Sequence, residues 1–233
     1  MSAGISYTVI QGDYLSKIAR SHGFTNYRSI WNAPENKALK EKRKNPNIHY
    51  PGDKLFIPDK EIREESRATE KKHKFELQGD KLMLRIQLLD FKNKPVEGHE
   101  CTLIVEGNPK EFKTKSDGML EEEISTDHGT GKVQDRGKPD PKQPFNASLE
   151  IPLKIGHLDP EGKISGQIGR LNNLGYNAGE VPENTLTDEE EGKLLKSPQF
   201  LSAVEEFQCD FGLKVDGICG KNTQEKLVKA HGC

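Results

Sequence analysis

The sequence lacks the features that mark membrane-spanning and exported proteins. No stretch approaches the roughly 20 consecutive apolar residues of a membrane-spanning helix, and 31% of the 233 residues are charged. The opening residues, MSAGIS, provide neither a basic segment nor an apolar core, so no secretory signal peptide is predicted. We therefore expect synthesis in the cytoplasm and no membrane insertion.

Motifs for metal binding and catalysis are also missing. The seven histidines form neither HxH nor HExxH, and the ExxH spacing of Glu70 and His73 has no further ligands around it. His157 and the pair Asp127-His128 are isolated polar sites, and neither belongs to a catalytic motif in the sequence. We expect no catalytic residue, no metal site and no cofactor.

The cysteines give no sign of a disulfide framework or a zinc site. The sequence has four, none in a CxxC pair: Cys101, Cys209, Cys219 and Cys233. We expect these cysteines to be buried or unreactive thiols. A bridge between Cys219 and Cys233 is the alternative.

Charge is distributed unevenly along the chain. Residues 1–60 contain ten Lys and Arg against five Asp and Glu, whereas residues 156–233 contain eight against thirteen. Two solvated faces explain this split, and the alternative is steering of the N-terminal part toward an anionic surface. The basic run from Lys40 to Lys44 lacks interleaved aromatic residues, so no nucleic-acid partner is expected.

The first 60 residues have the pattern of a strand, two helices and a second strand. Residues 7–10 favour a strand, Gln11-Gly12 a turn, and Asp13 suits a helix N-cap. The closing segment, NIHYPGDKLFIP, predicts a Pro-Gly turn that leads into the second strand.

YTVIQGDYLSKIA and IHYPGDKLFIP closely resemble the two ends of a LysM module. LysM modules bind glycans that contain N-acetylglucosamine, in a shallow groove between the loop after the first strand and the loop before the second. The resemblance implies that the chain would hold glycan with Gln11, Gly12, Asp13, Tyr14, Asn47, Ile48, His49, Tyr50, Pro51 and Gly52. Tyr14 or Tyr50 would lie against a sugar face. One departure is the charged insert APENKALKEKRKNP at residues 33–46, where Pro34 suits the start of a further helix.

Residues 61–75 predict a charged linker or a solvated helix, and residues 76–155 predict a β-sandwich. Apolar residues alternate from Leu82 to Leu88, from Cys101 to Val105 and from Ala147 to Ile155. This period and its turns suit a small antiparallel sandwich. FKNKPVEGHECTLIVEG followed by KTKSDGML resembles Ig-like domains of the carboxypeptidase-regulatory type.

The segment DHGTGKVQDRGKPDPKQP, residues 127–144, predicts a long loop because of its glycines and prolines.

Residues 156–233 predict three short helices around one core. The pieces RLNNLGY, AVEEFQCDFGLKVDG and GKNTQEKL resemble the three-helix peptidoglycan-binding domain found beside many cell-wall hydrolases. An acidic insert, EVPENTLTDEEEGKLLKSP at residues 180–198, takes the place of a turn that other members have.

The sequence thus predicts a multidomain α+β protein: a LysM module of βααβ order (residues 1–60), a linker (61–75), an antiparallel β-sandwich (76–155) and a three-helix domain (156–233). As a whole it resembles accessory proteins of type VI and related contractile secretion systems. We expect a non-catalytic protein that binds peptidoglycan, contacts spike, baseplate or effector proteins, and reaches the periplasm or the exterior through the secretion machine. The alternatives are a docking component without glycan binding, and a cell-wall-active effector whose site is unrecognised.

Overall fold

The computed structural model describes residues 3–60, 66, 68–74, 82–90, 92, 94–125, 129–135 and 150–233. The chain forms two compact units, one made of residues 1–18, 28–64 and 156–233, the other of residues 19–27 and 65–155. The N-terminal and C-terminal parts of the chain therefore share a unit. The predicted α+β class with a helical C-terminal part is confirmed.

The N-terminal part has two short strands that enclose its helices. Its elements are β1 (Gly4–Thr8), α1 (Leu15–Ser21), α2 (Arg28–Trp31), a 3₁₀ turn (Pro34–Asn36), α3 (Lys37–Lys42) and β2 (Lys54–Pro58). The strands pair antiparallel, with Gly4 opposite Pro58 and Thr8 opposite Lys54. β1 lies earlier than the predicted 7–10. Apolar side chains from the helices and β2 fill the core beneath this pair, among them Leu15, Ile18, Ile30, Leu55 and Ile57.

The insert at residues 33–46 is an ordered part of this fold. Pro34 begins the 3₁₀ turn, as its fixed φ favours. Asn36 is buried, and its side-chain nitrogen donates to the carbonyls of Ile30 (2.8 Å) and Phe56 (2.7 Å). Its side-chain oxygen accepts from the Phe56 amide at 2.8 Å. The insert is thereby fastened to both α2 and β2.

The second unit contains two antiparallel sheets that contribute to one core. Its strands are β3 (Leu82–Gln87), β4 (Glu100–Val105), β5 (Asn108–Lys113), β6 (Met119–Ile124), β7 (Thr130–Asp135) and β8 (Glu150–Lys154). β3 pairs with β6, and the other sheet has the order β5-β4-β7-β8. Residues of both sheets pack in the same apolar cluster, including Leu84, Leu120, Leu103 and Val133. The sandwich assignment itself stays a prediction.

The predicted loop at residues 127–144 is wrong in part, because β7 lies within it. β7 pairs with β4 on one side and β8 on the other, and Val133 is buried between Leu103 and Ile151 of the flanking strands. A Cβ on Gly131 would lie 2.9 Å from the Ile104 carbonyl oxygen, so glycine permits the close backbone approach. Residues 126–128, with Asp127 and His128, and residues 136–149 lie outside the described part of the chain.

The C-terminal part contains four helices, one more than predicted. They are α4 (Ile164–Asn173), α5 (Asp188–Leu195), α6 (Pro198–Asp210) and α7 (Lys221–His231). The additional helix, α5, comes from the acidic insert and begins with a capping box between Thr187 and Glu190. The core lies among α4, α6 and α7 and includes Ile168, Leu171, Phe200, Val204, Phe207 and Leu227.

Gln208 of α6 organises the turn that leads into α7. Its side-chain oxygen accepts from the amides of Asp216 (2.9 Å) and Gly217 (3.0 Å). Its side-chain nitrogen donates to the Asp216 carboxylate, the Ile218 carbonyl and the Thr223 hydroxyl. Gln208 is 1% exposed, so one buried amide satisfies polar groups along the whole turn. Asp216 and Gly217 thus shape this turn.

Candidate functional site

The C-terminal part has an open polar cleft between the segment that follows α4 and the start of α6. It encloses about 520 Å³ and is lined by Asn177, Ala178, Gly179, Glu180, Leu194, Ser197 and Gln199. A second depression of about 340 Å³ shares Asn177 and Gln199 and continues along α6 to Ser202 and Glu206. We call the two together the polar cleft. Its amide, hydroxyl and carboxylate groups are suited to hydrogen-bond a polar ligand such as a sugar or a short peptide.

The side of the polar cleft formed by residues 176–180 is held by the side chains of Asn172 and Tyr176. The Asn172 side chain accepts from the Ala178 amide (2.9 Å) and donates to the Gly179 carbonyl (2.7 Å). The Tyr176 hydroxyl donates to Asp210 at 2.9 Å, and its ring packs edge-on against Phe207. These contacts fix the backbone beside Asn177, whose own side chain is exposed. One wall of the polar cleft is therefore held by contacts within the protein.

The loops predicted to hold glycan leave the same end of the β1–β2 pair. The Val9 amide donates to the Asp53 carbonyl (3.0 Å) and the Gly52 amide to the Val9 carbonyl (2.8 Å). The structure thus brings residues 11–14 and 47–52 together, and we call them the loop pair. Their glycan-binding function stays a prediction.

Most of the loop pair is not open to solvent. Gly12, Asp13, Tyr14, Ile48 and His49 are buried, Gln11, Asn47, Tyr50 and Pro51 are half-buried, and Gly52 is exposed. Tyr14, one of the two rings expected against a sugar, is 2% exposed. A sugar face has no access to the Tyr14 ring in this arrangement.

Residues 156–163 of the same chain cover the loop pair, and we call them the bridging segment. Gly156 lies against the Tyr14 ring and the His157 ring lies against Gly12. Asp159 accepts a hydrogen bond from the Gln11 side chain. The Lys163 ammonium lies 4.7 Å from the centre of the Tyr50 ring, at cation–π distance. His157, singled out from the sequence as an isolated polar site, is therefore a contact residue within this unit.

Asp53 ties the insert to the second loop of the pair. Its carboxylate accepts from Arg43 at 2.7 and 3.1 Å, from Lys42 at 3.1 Å, and from the Tyr50 amide at 3.0 Å. Burial raises the pKa of Asp53, but these hydrogen bonds outweigh burial and hold the pKa below its usual 3.8. A charged Asp53 thus fixes the loop that contains Tyr50.

Sequence reasoning missed a contact between a cysteine and a histidine at the end of α7. The Cys233 sulfur lies 3.2 Å from Nδ1 of His231, and the Asn173 side chain lies 2.9 Å from Nε2. Burial lowers the pKa of His231 to about 4 and raises that of the Cys233 thiol. Both groups are neutral at pH 7, so the pair lacks the thiolate that a cysteine nucleophile requires. A histidine and a cysteine two positions apart at the end of a helix form no recognised motif, so the sequence did not signal this contact.

The other candidates from the sequence are the four cysteines and His73 of the ExxH spacing. None of the four cysteines is in a disulfide: Cys101, Cys209, Cys219 and Cys233. His73 donates a hydrogen bond from Nε2 to the Ala68 carbonyl at 2.8 Å. Across the described ranges, no three His, Cys, Asp or Glu side chains are grouped to hold a metal ion. No helix in those ranges is both long enough and apolar enough to cross a membrane.

Comparison with known families concerns the C-terminal part. Residues 169–227 match the model of a family described as "Putative peptidoglycan binding domain". The match covers α4 from Gly169, α5, α6 and most of α7, and it contains the polar cleft. It supports a peptidoglycan-binding domain in this part of the chain. No curated protein and no solved structure gives a significant match.

Proposed function

We propose that this protein is a non-catalytic peptidoglycan-binding accessory protein, and that the polar cleft of its C-terminal domain contacts the wall polymer. The observation behind this proposal is that the family match at residues 169–227 contains the cleft. Peptidoglycan offers acetamido, hydroxyl and peptide groups, which pair with amide and hydroxyl side chains of the kind found there.

The absence of catalysis is part of the proposal. A cysteine hydrolase needs an activated thiolate, whereas burial favours the neutral forms of Cys233 and His231. We therefore assign this contact to the packing of the C-terminal residues. A peptidoglycan digestion assay tests the assignment: the protein is expected to release no soluble fragments, and release would contradict it.

We also propose, more specifically, that the protein is associated with a contractile secretion machine, and this proposal rests on the sequence resemblance. This association would deliver the chain to the periplasm or the exterior. Co-purification with spike, baseplate or effector proteins tests it directly.

A docking component without glycan binding is the second candidate function. The burial of the loop pair favours it, because those loops are the glycan-binding part of the resemblance to LysM. Co-sedimentation of the full chain with purified sacculi separates the two candidates. Saturable retention is expected, and a protein that stays in the supernatant while it co-purifies with secretion components would support docking instead.

A further inference from the structure

The loop pair and the bridging segment have complementary shapes. On one side Gly12 faces the His157 ring, and a Cβ on Gly12 would lie 2.9 Å from Cε1. On the other side Gly156 faces the Tyr14 ring, and a Cβ on Gly156 would overlap that ring. Each side therefore presents a glycine to a ring of the other. We propose that the loop pair is a docking surface for the bridging segment, which makes the N-terminal part an intramolecular partner of the C-terminal domain and not a second glycan-binding module.

Both glycines also have backbone conformations that disfavour a side chain. Gly12 has φ +83° and Gly156 has φ +80°, in the left-handed region where glycine is preferred. Two separate constraints thus favour glycine at each position: the backbone conformation and the close approach of the facing ring.

Polar contacts complete the interface at its two edges. At one edge, the buried Asp159 accepts from Gln11. At the other, Lys163 lies over the Tyr50 ring and also contacts Glu191 of α5 at 3.4 Å. The acidic insert therefore helps to hold the Lys163 ammonium over the N-terminal part.

The bridging segment is firmly attached to the C-terminal domain. Asp159 accepts from the Ser165 hydroxyl at 2.7 Å, and its carbonyl accepts from the fully buried Arg170 at 2.7 Å. A Cβ on Gly166 would overlap the carbonyls of Asp159 and Pro160, so the segment lies directly on α4. Because it cannot swing away without breaking these buried contacts, the segment is a fixed surface and not a lid.

Charge is complementary as well. Residues 1–60 have an excess of Lys and Arg, and residues 156–233 an excess of Asp and Glu. Opposite net charges favour the association of the two parts. The proposal does not depend on whether the polar cleft binds peptidoglycan.

Hydrogen–deuterium exchange of the full chain tests the docking. Gly156→Ala introduces both backbone strain and overlap with Tyr14, and should raise exchange at residues 11–14 and 47–52 roughly tenfold. Gly175→Ala is the matched control for strain, since Gly175 has φ +93° and no atom within 4 Å of its Cβ position. Gly162→Ala is a control within the segment, where the Cβ also meets nothing. Unchanged exchange of the loop pair in Gly156→Ala would overturn the proposal.

A milder variant keeps the test decisive if Gly156→Ala fails to fold. Lys163→Ala leaves the backbone intact and should raise exchange around Tyr50 by a few-fold, whereas Lys193→Ala, which removes an exposed pair with Glu189 on α5, should not. Equal exchange in the two lysine variants would contradict the proposal.

Chitotetraose provides the ligand arm of the same experiment. The wild-type chain is expected to show no protection of the loop pair when this N-acetylglucosamine oligomer is added. Protection of residues 11–14 and 47–52 would overturn the proposal, because the loops would then hold glycan.

Discussion

The Tyr14 ring lies directly on Gly156, 142 positions along the chain. Tyr14 directly precedes α1 and Gly156 begins the bridging segment, so this contact is one of those that join the N-terminal part to the C-terminal domain within one unit. It also explains why an aromatic side chain that suits sugar stacking is buried here.

Loss of the Tyr14 ring should destabilise the unit that contains it. Tyr14→Ala removes a buried aromatic side chain and leaves a cavity at the Gly156 contact, at a cost of about 3–5 kcal/mol. Urea unfolding followed by the fluorescence of Trp31, the chain's single tryptophan, measures this loss. Tyr14→Phe keeps the ring and should retain most of the stability. An equally large loss in both variants would show that the hydroxyl matters more than the ring contact.

Replacement of Gln208 should destabilise the C-terminal domain. Gln208→Leu has similar volume but leaves the amides of Asp216 and Gly217 without their acceptor, so we expect a loss of about 2–4 kcal/mol. Helical circular dichroism during urea unfolding reports it. Gln224→Leu, which removes one hydrogen bond to the Cys219 carbonyl, is the control and should cost less. Similar losses would argue against a special function for Gln208.

The stability of the C-terminal domain should depend on pH through His231. Burial lowers its pKa to about 4 when folded, against about 6.5 when unfolded. Between these values the unfolded chain binds more protons, so the free energy of unfolding should fall as pH drops from about 6.5 to 4. The positive charge of Arg170 also lowers the pKa of His231. NMR titration of the imidazole, with His231→Gln as the variant that removes the dependence, checks this. A titration midpoint near 6.5 would contradict it.

Asp53 should contribute to acid unfolding of the N-terminal part. Its pKa lies below 3.8 when folded, so the contribution is fully present above that pH and is lost as pH falls through the folded pKa. Arg43→Gln removes the strongest partner of a buried carboxylate and should raise the Asp53 pKa, with a loss of about 3 kcal/mol at neutral pH. Carbon NMR of the carboxyl group and unfolding at pH 7 measure the two effects. An unchanged pKa would rule out Arg43 as its cause.

Local patterns in the sequence predicted three of the four helices of residues 156–233, because these three have their own signals, but missed α5 in the acidic insert. Gly175, for example, marks the end of α4, and this signal depends only on residues a few positions apart. β7 was missed since its strand conformation depends on pairing with β4 and β8, which no local pattern reports. The burial of the loop pair was missed for the same reason, because it depends on a contact with a distant part of the chain. Motif resemblance could indicate which residues form it, but the segment that covers it begins at Gly156, far along the chain.

Sacculus binding by variants of the polar cleft tests the central claim most directly. Asn177→Ala and Gln199→Ala change exposed side chains shared by both parts of the cleft, whereas Asn222→Ala changes an exposed residue at the start of α7 outside it. If the polar cleft holds peptidoglycan, the double variant Asn177→Ala/Gln199→Ala should lose about tenfold or more in affinity for purified sacculi, because each lost hydrogen bond weakens binding. Asn222→Ala should bind as the wild type does. The wild type, the double variant and Asn222→Ala should all unfold at the same urea concentration. Undiminished retention of the folded double variant would contradict the account.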